Sequence, residues 1–212
     1  MSDTPDPETI AALFTRSDGS YLCARWGRPI VPVVFGVDDA TLGLVKGGFE
    51  ALCATAGHKM AETDPELGAN AMVFFFRDWE ELLSVPDLDR LIEGLGPLVA
   101  RLSAEGANQY RVFRFDADGA IRACFTFLRM DEALSHQPAE TLVLGQVAQA
   151  MLLWSDVAFT DRSPLAQLSD GRVVLHPEIA GVLRAAYDPV MPNAATDPSH
   201  ALRLAARMRT QA

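Results

Sequence analysis

The residues of this chain whose types and spacing could do chemistry together lie between Glu140 and Asp156, in the run ETLVLGQVAQAMLLWSD. At about 100 degrees per residue, Leu144, Val147, Ala148, Met151 and Trp154 share one helical face. Gly145, Gln149 and Asp156 line the other, with Gln146 beside them. Pro138 in the first turn and Glu140 near the positive end suit a helix start. The polar face thus offers two neutral amides and one carboxylate. An amide donates and accepts hydrogen bonds but takes no proton near neutral pH, so Gln146, Gln149 and Asp156 fit a ligand or partner cleft better than an acid/base pair. Packing alone accounts for such a helix equally well.

No other constellation carries a sharper chemistry. His58, His136, His176 and His200 share no metal-ligand spacing, and His176 before Pro177 reads as a helix entry. Cys23, Cys53 and Cys124 are odd in number and far apart among apolar neighbours, which fits small buried hydrophobes. Asp116, Asp118 and Gly119 lack the closing Glu of a calcium loop and read as a hairpin turn. Asp87, Asp89, Glu93 and Glu105 read as a solvated helical face. The sequence has no Gly-rich phosphate loop, nucleophile elbow or recognisable Cys/His pair. No catalytic residue, cofactor or metal ligand is therefore assigned.

The elements that must position the Gln face follow from periodicity. The first 20 or so residues read as an acidic arm with one short helical turn around Ile10 to Phe14. Arg28 to Gly36 has the β-branched run of a strand, and Pro32 inside it points to an edge or a bulge. A helix is predicted from Asp39, as N-cap, to Gly57, as stop. Gly43, Gly47 and Gly48 weaken it by up to about 1 kcal/mol each, and close helix-to-sheet packing would explain them. Lys59 to Glu62 reads as a short strand and Asn70 to Asp78 as a buried one. Trp79 to Gly106 is helical in two pieces, interrupted by Pro86 and by Gly96-Pro97. Tyr110 to Phe115 and Ile121 to Met130 flank a hairpin turn, and the Gln-bearing helix follows. Pro198 to Gln211 carries Arg203, Arg207 and Arg209 opposite Leu202, Ala205 and Met208, as a helix that packs back on the domain or binds a partner. The predicted class is α+β: a mixed sheet of about four or five strands, with the 138–154 helix packed across it through Leu144, Val147, Met151 and Trp154.

GQVAQAMLLWS resembles the His-Glu-x-x-His-x-x-Gly-x-x-His helix of matrixin-type zinc peptidases, with Gly145, Gln149 and Ser155 at the ligand positions and Gln146 at that of the catalytic Glu. LHPEIAGVLRAAYDP, residues 175–189, is similar to the helix that closes that domain. Ser163-Pro164 falls where the family has its methionine turn, without the methionine. A closer likeness is to an uncharacterised group of proteobacterial proteins, many of them lipoprotein-like. Gln149, Asp156, Tyr187-Asp188-Pro189 and Arg25-Trp26 match that group. Gly145 and Gln146 replace its paired acidic residues, and its lipoprotein signal is missing. The likeness covers about residues 25–190. It implies a zincin-like domain there, between an acidic arm (1–24) and a tail with a short basic helix (191–212), with the former active-site helix stripped of its metal ligands. A catalytic zinc needs three protein ligands from imidazole, thiolate and carboxylate, and Gly, Gln and Ser supply none of these. Gln146 cannot act as the base. Leu152 stands where the family's Gly lets the chain turn, so the helix is expected to run on to about Trp154, with Ser155 pointing away from the old metal position.

Composition limits the partners. With 49% hydrophobic and 22% charged residues and no linker-like stretch in 212 residues, one globular domain is expected. A formal charge of -10 argues against nucleic acid and anionic membranes. The acidic start MSDTPDPETIAALFTRSDG lacks the pattern of a secretory signal, which gives a cytoplasmic expectation. Oligomeric state is not encoded legibly. The expected function is a non-catalytic binding or interaction domain on a metallopeptidase-like frame. It would hold a peptide or small polar ligand beside Gln146, Gln149 and Asp156 or along the sheet edge above them. The alternative is a hydrolase with relocated catalytic residues in the same cleft.

Overall fold

A computed structural model describes residues 5–211. In chain order the elements are α1 (Pro7–Ala12), β1 (Cys23–Ala24), β2 (Pro32–Phe35), α2 (Asp39–Ala56), β3 (Ala71–Phe76), a 3-10 helix (Trp79–Ser84), α3 (Leu88–Leu91), α4 (Leu95–Ala104), β4 (Gln109–Phe115), β5 (Ile121–Arg129), α5 (Glu132–Ser135), α6 (Ala139–Met151), β6 (Leu165–Gln167), β7 (Val173–Leu175), α7 (Pro177–Ala186), β8 (Ala194–Ala195) and α8 (Ser199–Thr210). The class is α+β, as predicted. A four-stranded mixed sheet runs in the order β2-β3-β5-β4, and two small two-stranded sheets, β1-β8 and β6-β7, lie apart from it.

The middle strands read as apolar runs because both sheet faces are covered. On one side Val73, Cys124 and Leu128 join the core shared with α2, α6 and α7. On the other, Phe74, Phe76, Phe125 and Phe127 pack under Leu95, Val99 and Leu102 of α4. β2, β3 and β5 are parallel, and β4 is antiparallel to β5. Pro32 sits in β2 at the sheet edge, where a missing N–H costs least. The β4-β5 hairpin closes at Asp116, whose Oδ1 accepts from the N–H groups of Asp118 and Ala120, both at 3.0 Å, and Gly119 has φ 78°.

Several boundaries differ from expectation, each for a local reason. Asp38, not Asp39, caps α2, accepting from Thr41 N at 2.8 Å; Gly57 ends it in the left-handed region, φ 66°. Gly48 meets a helix and not the sheet: a Cβ there would lie 3.0 Å from Val143 and 3.3 Å from Val147 of α6. Gly43 and Gly47 face open space. The stretch read as a strand at 59–62 contributes a single parallel bridge, Met60 to Ile30. The 79–106 region is three pieces, broken around Pro86 and Asp87 and again before Gly94. Gly96 and Pro97 fall inside the first turn of α4, where proline removes no helical hydrogen bond.

The largest departure is at the end of α6. The helix stops at Met151 and does not reach Trp154; Leu152 is extended, φ -134°, and needs no glycine to leave. It forms an antiparallel bridge with Arg25, and Leu153 N donates to Ala24 O at 2.8 Å. A helix ending inside the core must satisfy its last carbonyls. Three side chains do so: Trp154 Nε1 donates to Ala148 O at 3.0 Å, Trp26 Nε1 to Ala150 O at 2.9 Å, and Tyr187 Oη to Met151 O at 2.7 Å. These donors replace the helical continuation that Leu152 was expected to enforce.

The two ends of the chain complete this core. Ile10 and Phe14, in the segment read as an arm, are fully buried, and Phe14 stacks on Trp154 at 5.3 Å between centroids. α8 packs on α1 and α7. Asp188, just beyond α7, accepts from Arg207 Nε at 3.0 Å, from Arg207 Nη2 and from Gln211 Nε2 at 3.1 Å. Ala201, Leu204, Ala205 and Met208 form the packed face of α8; Leu202, expected among them, is exposed. Among the described residues no helix is long and apolar enough to cross a membrane.

Candidate functional site

α6 meets the sheet through Val143, Gln146, Val147 and Ala150. With Val73, Phe75, Thr126 and Leu128 they enclose a residual space of only about 10 Å³. The expected face, Leu144, Val147, Met151 and Trp154, is therefore rotated: Leu144 is only half-buried, and Trp154 lies past the helix end. The consequence is chemical. Gln146 turns inward toward the edge strand, at 8% exposure, and Gln149 stays half-buried beside it.

What they meet is Arg111, on β4. Its Nη1 donates to Gln149 Oε1 at 3.0 Å and its Nη2 donates to Gln146 Oε1. Gln146 Nε2 in turn donates to Gln109 Oε1 at 2.9 Å, and Gln149 Nε2 to the Gly145 carbonyl one turn back at 3.2 Å. The amides are thus oriented oxygen-first toward a guanidinium. Burial lowers the Arg111 pKa to about 10, which still leaves the group charged at neutral pH. The same burial pushes the nearby Cys124 thiol up to about 11, so it stays protonated. Arg111 Nε is buried without a hydrogen-bond partner.

Sequence reasoning missed Arg111, although a signal was present. In Gln-Tyr-Arg-Val-Phe-Arg-Phe, residues 109–115, Gln109, Arg111 and Phe113 share one face of the strand. If Phe113 faces the core under α6, Gln109 and Arg111 must face the helix too.

A cleft of about 470 Å³ opens beside these amides. Its walls are Thr141, Gly145, Gln146 and Gln149 on the helix side and the Phe159 to Leu165 segment opposite, with Gln109 at the sheet end. Ser163 and Pro164 belong to that second wall. Along the sheet end, β4 pairs only with β5 among the described residues. The Asn108 carbonyl accepts from Arg129 N at 2.8 Å, so in an antiparallel ladder the main-chain groups of Gln109, Arg111 and Phe113 point the other way, to the open edge. The cleft and the open edge are contiguous at Gln109.

Asp156 lies elsewhere. Because the chain leaves α6 at Leu152 and runs beside β1, residues 155 and 156 are carried to the loop after α1. There Asp156 accepts from Ser17 N at 3.0 Å and from Ser17 Oγ, and it does not line the cleft. Ser155 goes the same way: its Oγ donates to Thr15 O at 2.7 Å. It does point away from the other two ligand positions, but because the helix ends early.

The residues do not fit the zinc ion that the resemblance implies. Gly145 has no donor, Gln149 presents a neutral oxygen already taken by Arg111, and Ser155 is engaged at the other end of the segment. A fixed positive charge stands among the ligand positions, where it repels a dication. Among the described residues no three His, Cys, Asp or Glu side chains are grouped to hold a metal. His58 donates from Nε2 to Arg28 O at 2.9 Å, and His200 Nδ1 pairs with Tyr21 Oη at 2.9 Å; neither reaches the cleft. Comparison with protein-family models, curated proteins and solved structures gives no match to this chain.

Proposed function

We propose that this chain is a non-catalytic binding domain on a zincin-like frame that has lost its metal site, and that an extended peptide is its ligand. The observation that carries the reading is the guanidinium of Arg111 held between the oxygens of Gln146 and Gln149. It supports the reading because a permanent cation and two engaged acceptors stand at the positions that the resemblance would assign to an ion and a base. The frame is supported by the order strand, helix, strand, helices, hairpin, long helix, and by the mixed sheet under that helix. It is supported again by Trp26 and Tyr187, two residues of the shared motifs, which both donate to the end of α6.

The open edge of β4 favours a peptide. An added strand would take its main-chain hydrogen bonds from Gln109, Arg111 and Phe113 and drop alternate side chains toward the cleft. The hydrolase alternative gains no support: no His or Cys lines the cleft, and Asp161 is its only carboxylate among the described residues. The test is a fluorescence-polarisation screen of extended peptides, followed by N-methylation of alternate residues in each hit. Methylation that removes the inward N–H groups should abolish binding. Hits that bind equally well when methylated in either register would rule out strand addition.

A further inference from the structure

We propose that Arg111 receives a ligand carboxylate, which enters the cleft and takes the guanidinium over from the amide oxygens of Gln146 and Gln149. This rests on the binding reading above and names the chemistry of the group bound.

The argument begins with a missing counter-charge. Arg28, Arg90, Arg101, Arg122, Arg129, Arg162, Arg172 and Arg207 each sit in an ion pair with Asp or Glu. Arg111, half-buried like Arg28, Arg122, Arg129 and Arg207, has none among the described residues. Of the others without one, Arg77, Arg114, Arg184, Arg203 and Arg209 are exposed, Arg16 lies in the field of Asp156, and Arg25 has its guanidinium 5.5 Å from the centre of the Tyr187 ring and donates to Met191 O at 3.3 Å. Arg111 has only two side-chain amides, and its Nε, like those of Arg25 and Arg122, has no partner. A partly desolvated cation held only by neutral oxygens is less well compensated than one in an ion pair, and an anion arriving from outside would supply the missing charge.

The two amides are suited to yield. Both line the cleft, and both are side chains that can rotate, unlike the carbonyls that hold Arg25 and His58. A carboxylate matches the planar fork of Arg in bidentate fashion, with bonds roughly twice as strong as those to neutral oxygens. Once displaced, Gln146 and Gln149 can turn their Nε2 groups to the same carboxylate, so no polar group is stranded. A single negative charge suits the site better than a dianion. Arg111 is one cation, Arg162 across the cleft is tied to Glu178 at 3.3 Å, and Asp161 stands on the same wall. The carboxylate can belong to an acidic side chain of the peptide, to its C-terminus or to a free small acid.

Calorimetric titration at neutral pH separates these sources and tests the proposal. The probes are an end-blocked alanine-rich pentapeptide with a central Glu, its Gln counterpart, the all-Ala peptide with a free C-terminal carboxylate, succinate and inorganic phosphate. The expected result is that at least one carboxylate probe binds about tenfold or more tighter than the neutral Gln peptide. Arg111→Gln should erase that difference between charged and neutral probes. Equal binding of the Glu, free-carboxylate and Gln peptides would overturn the carboxylate proposal and leave peptide binding standing. Tighter binding of phosphate than of any carboxylate would overturn the assigned class. No binding of any probe would overturn both readings. If Arg111→Gln fails to fold, the comparison of charged and neutral probes on the unaltered protein decides alone.

Discussion

Gln146 and Gln149 occupy adjacent places on one helix, yet the structure gives them unequal duties. Gln146 is buried and bridges Arg111 to Gln109, so its loss strands a charged donor away from water. Gln146→Ala should cost about 1–3 kcal/mol in a denaturant melt. Gln149 is half-buried beside an open cleft, where water can take over its bond to Arg111. Gln149→Ala should cost less than about 1 kcal/mol and weaken peptide binding. A Gln149→Ala protein less stable than Gln146→Ala would reverse this assignment. Metal dependence belongs to the same residues. Because the donor set does not fit zinc, chelator treatment should leave Tm unchanged, whereas a native-state ion would stabilise by mass action and its removal would lower Tm. A fall on chelation that zinc reverses would contradict the guanidinium's role.

The end of α6 depends on Trp26 and Tyr187, from two distant points of the chain, and on Trp154 just beyond the helix. Tyr187→Phe keeps the ring and deletes the hydroxyl that serves the Met151 carbonyl, so it should destabilise by about 1–3 kcal/mol in urea without altering the cleft. Leu152→Gly should also destabilise, by roughly 2–5 kcal/mol, because Leu152 is fully buried. If that glycine variant melts at the wild-type midpoint, the side chain's burial contributes nothing to holding the turn. Local signals made most of the elements legible. Gly57 with its positive φ, the Asp-Gly hairpin and the both-sided apolar strand at 71–76 stand where their chemistry put them. What local patterns could not supply were contacts formed across the chain. Helical periodicity ran past Met151 because no helix-breaking residue stands there; the stop is made by Trp26 and Tyr187 from afar, with Trp154 folding back on Ala148. The same holds at the site. Asp156 has the correct helical phase for the cleft but lies beyond the helix, and Arg111, from a strand 35 residues before Gln146, holds the two amides from behind the cleft wall.

The ends of the chain join over one flank of the core, and this junction makes the molecule sensitive to acid. α1 and α8 pack together, and the first strand, β1, pairs with the last, β8. Beneath this junction His200 is buried against Tyr21, with Arg203 one turn along the same helix; burial first, and then that arginine, depress its pKa from the ordinary 6.5 to about 4. The native state therefore holds His200 neutral, while the unfolded chain takes up a proton near pH 6.5. Between about pH 6.5 and 4 the unfolded state binds more protons, so stability is full above that window and declines as pH falls through it. Asp188 adds a second loss lower down. The hydrogen bond from Arg207 holds its pKa below the usual 3.8, so its contribution is present above the ordinary carboxyl range and disappears as that carboxylate is protonated. The expected profile of Tm is flat above pH 7, falls from about pH 6.5, and steepens below about pH 4. His200→Gln supplies a neutral amide for Tyr21 without a titrating proton, and it should shrink the upper decline to the part contributed by His58, whose pKa burial also lowers, while leaving the lower one. Retention of the full slope between pH 6.5 and 4 in that variant would assign the acid sensitivity to some group other than His200.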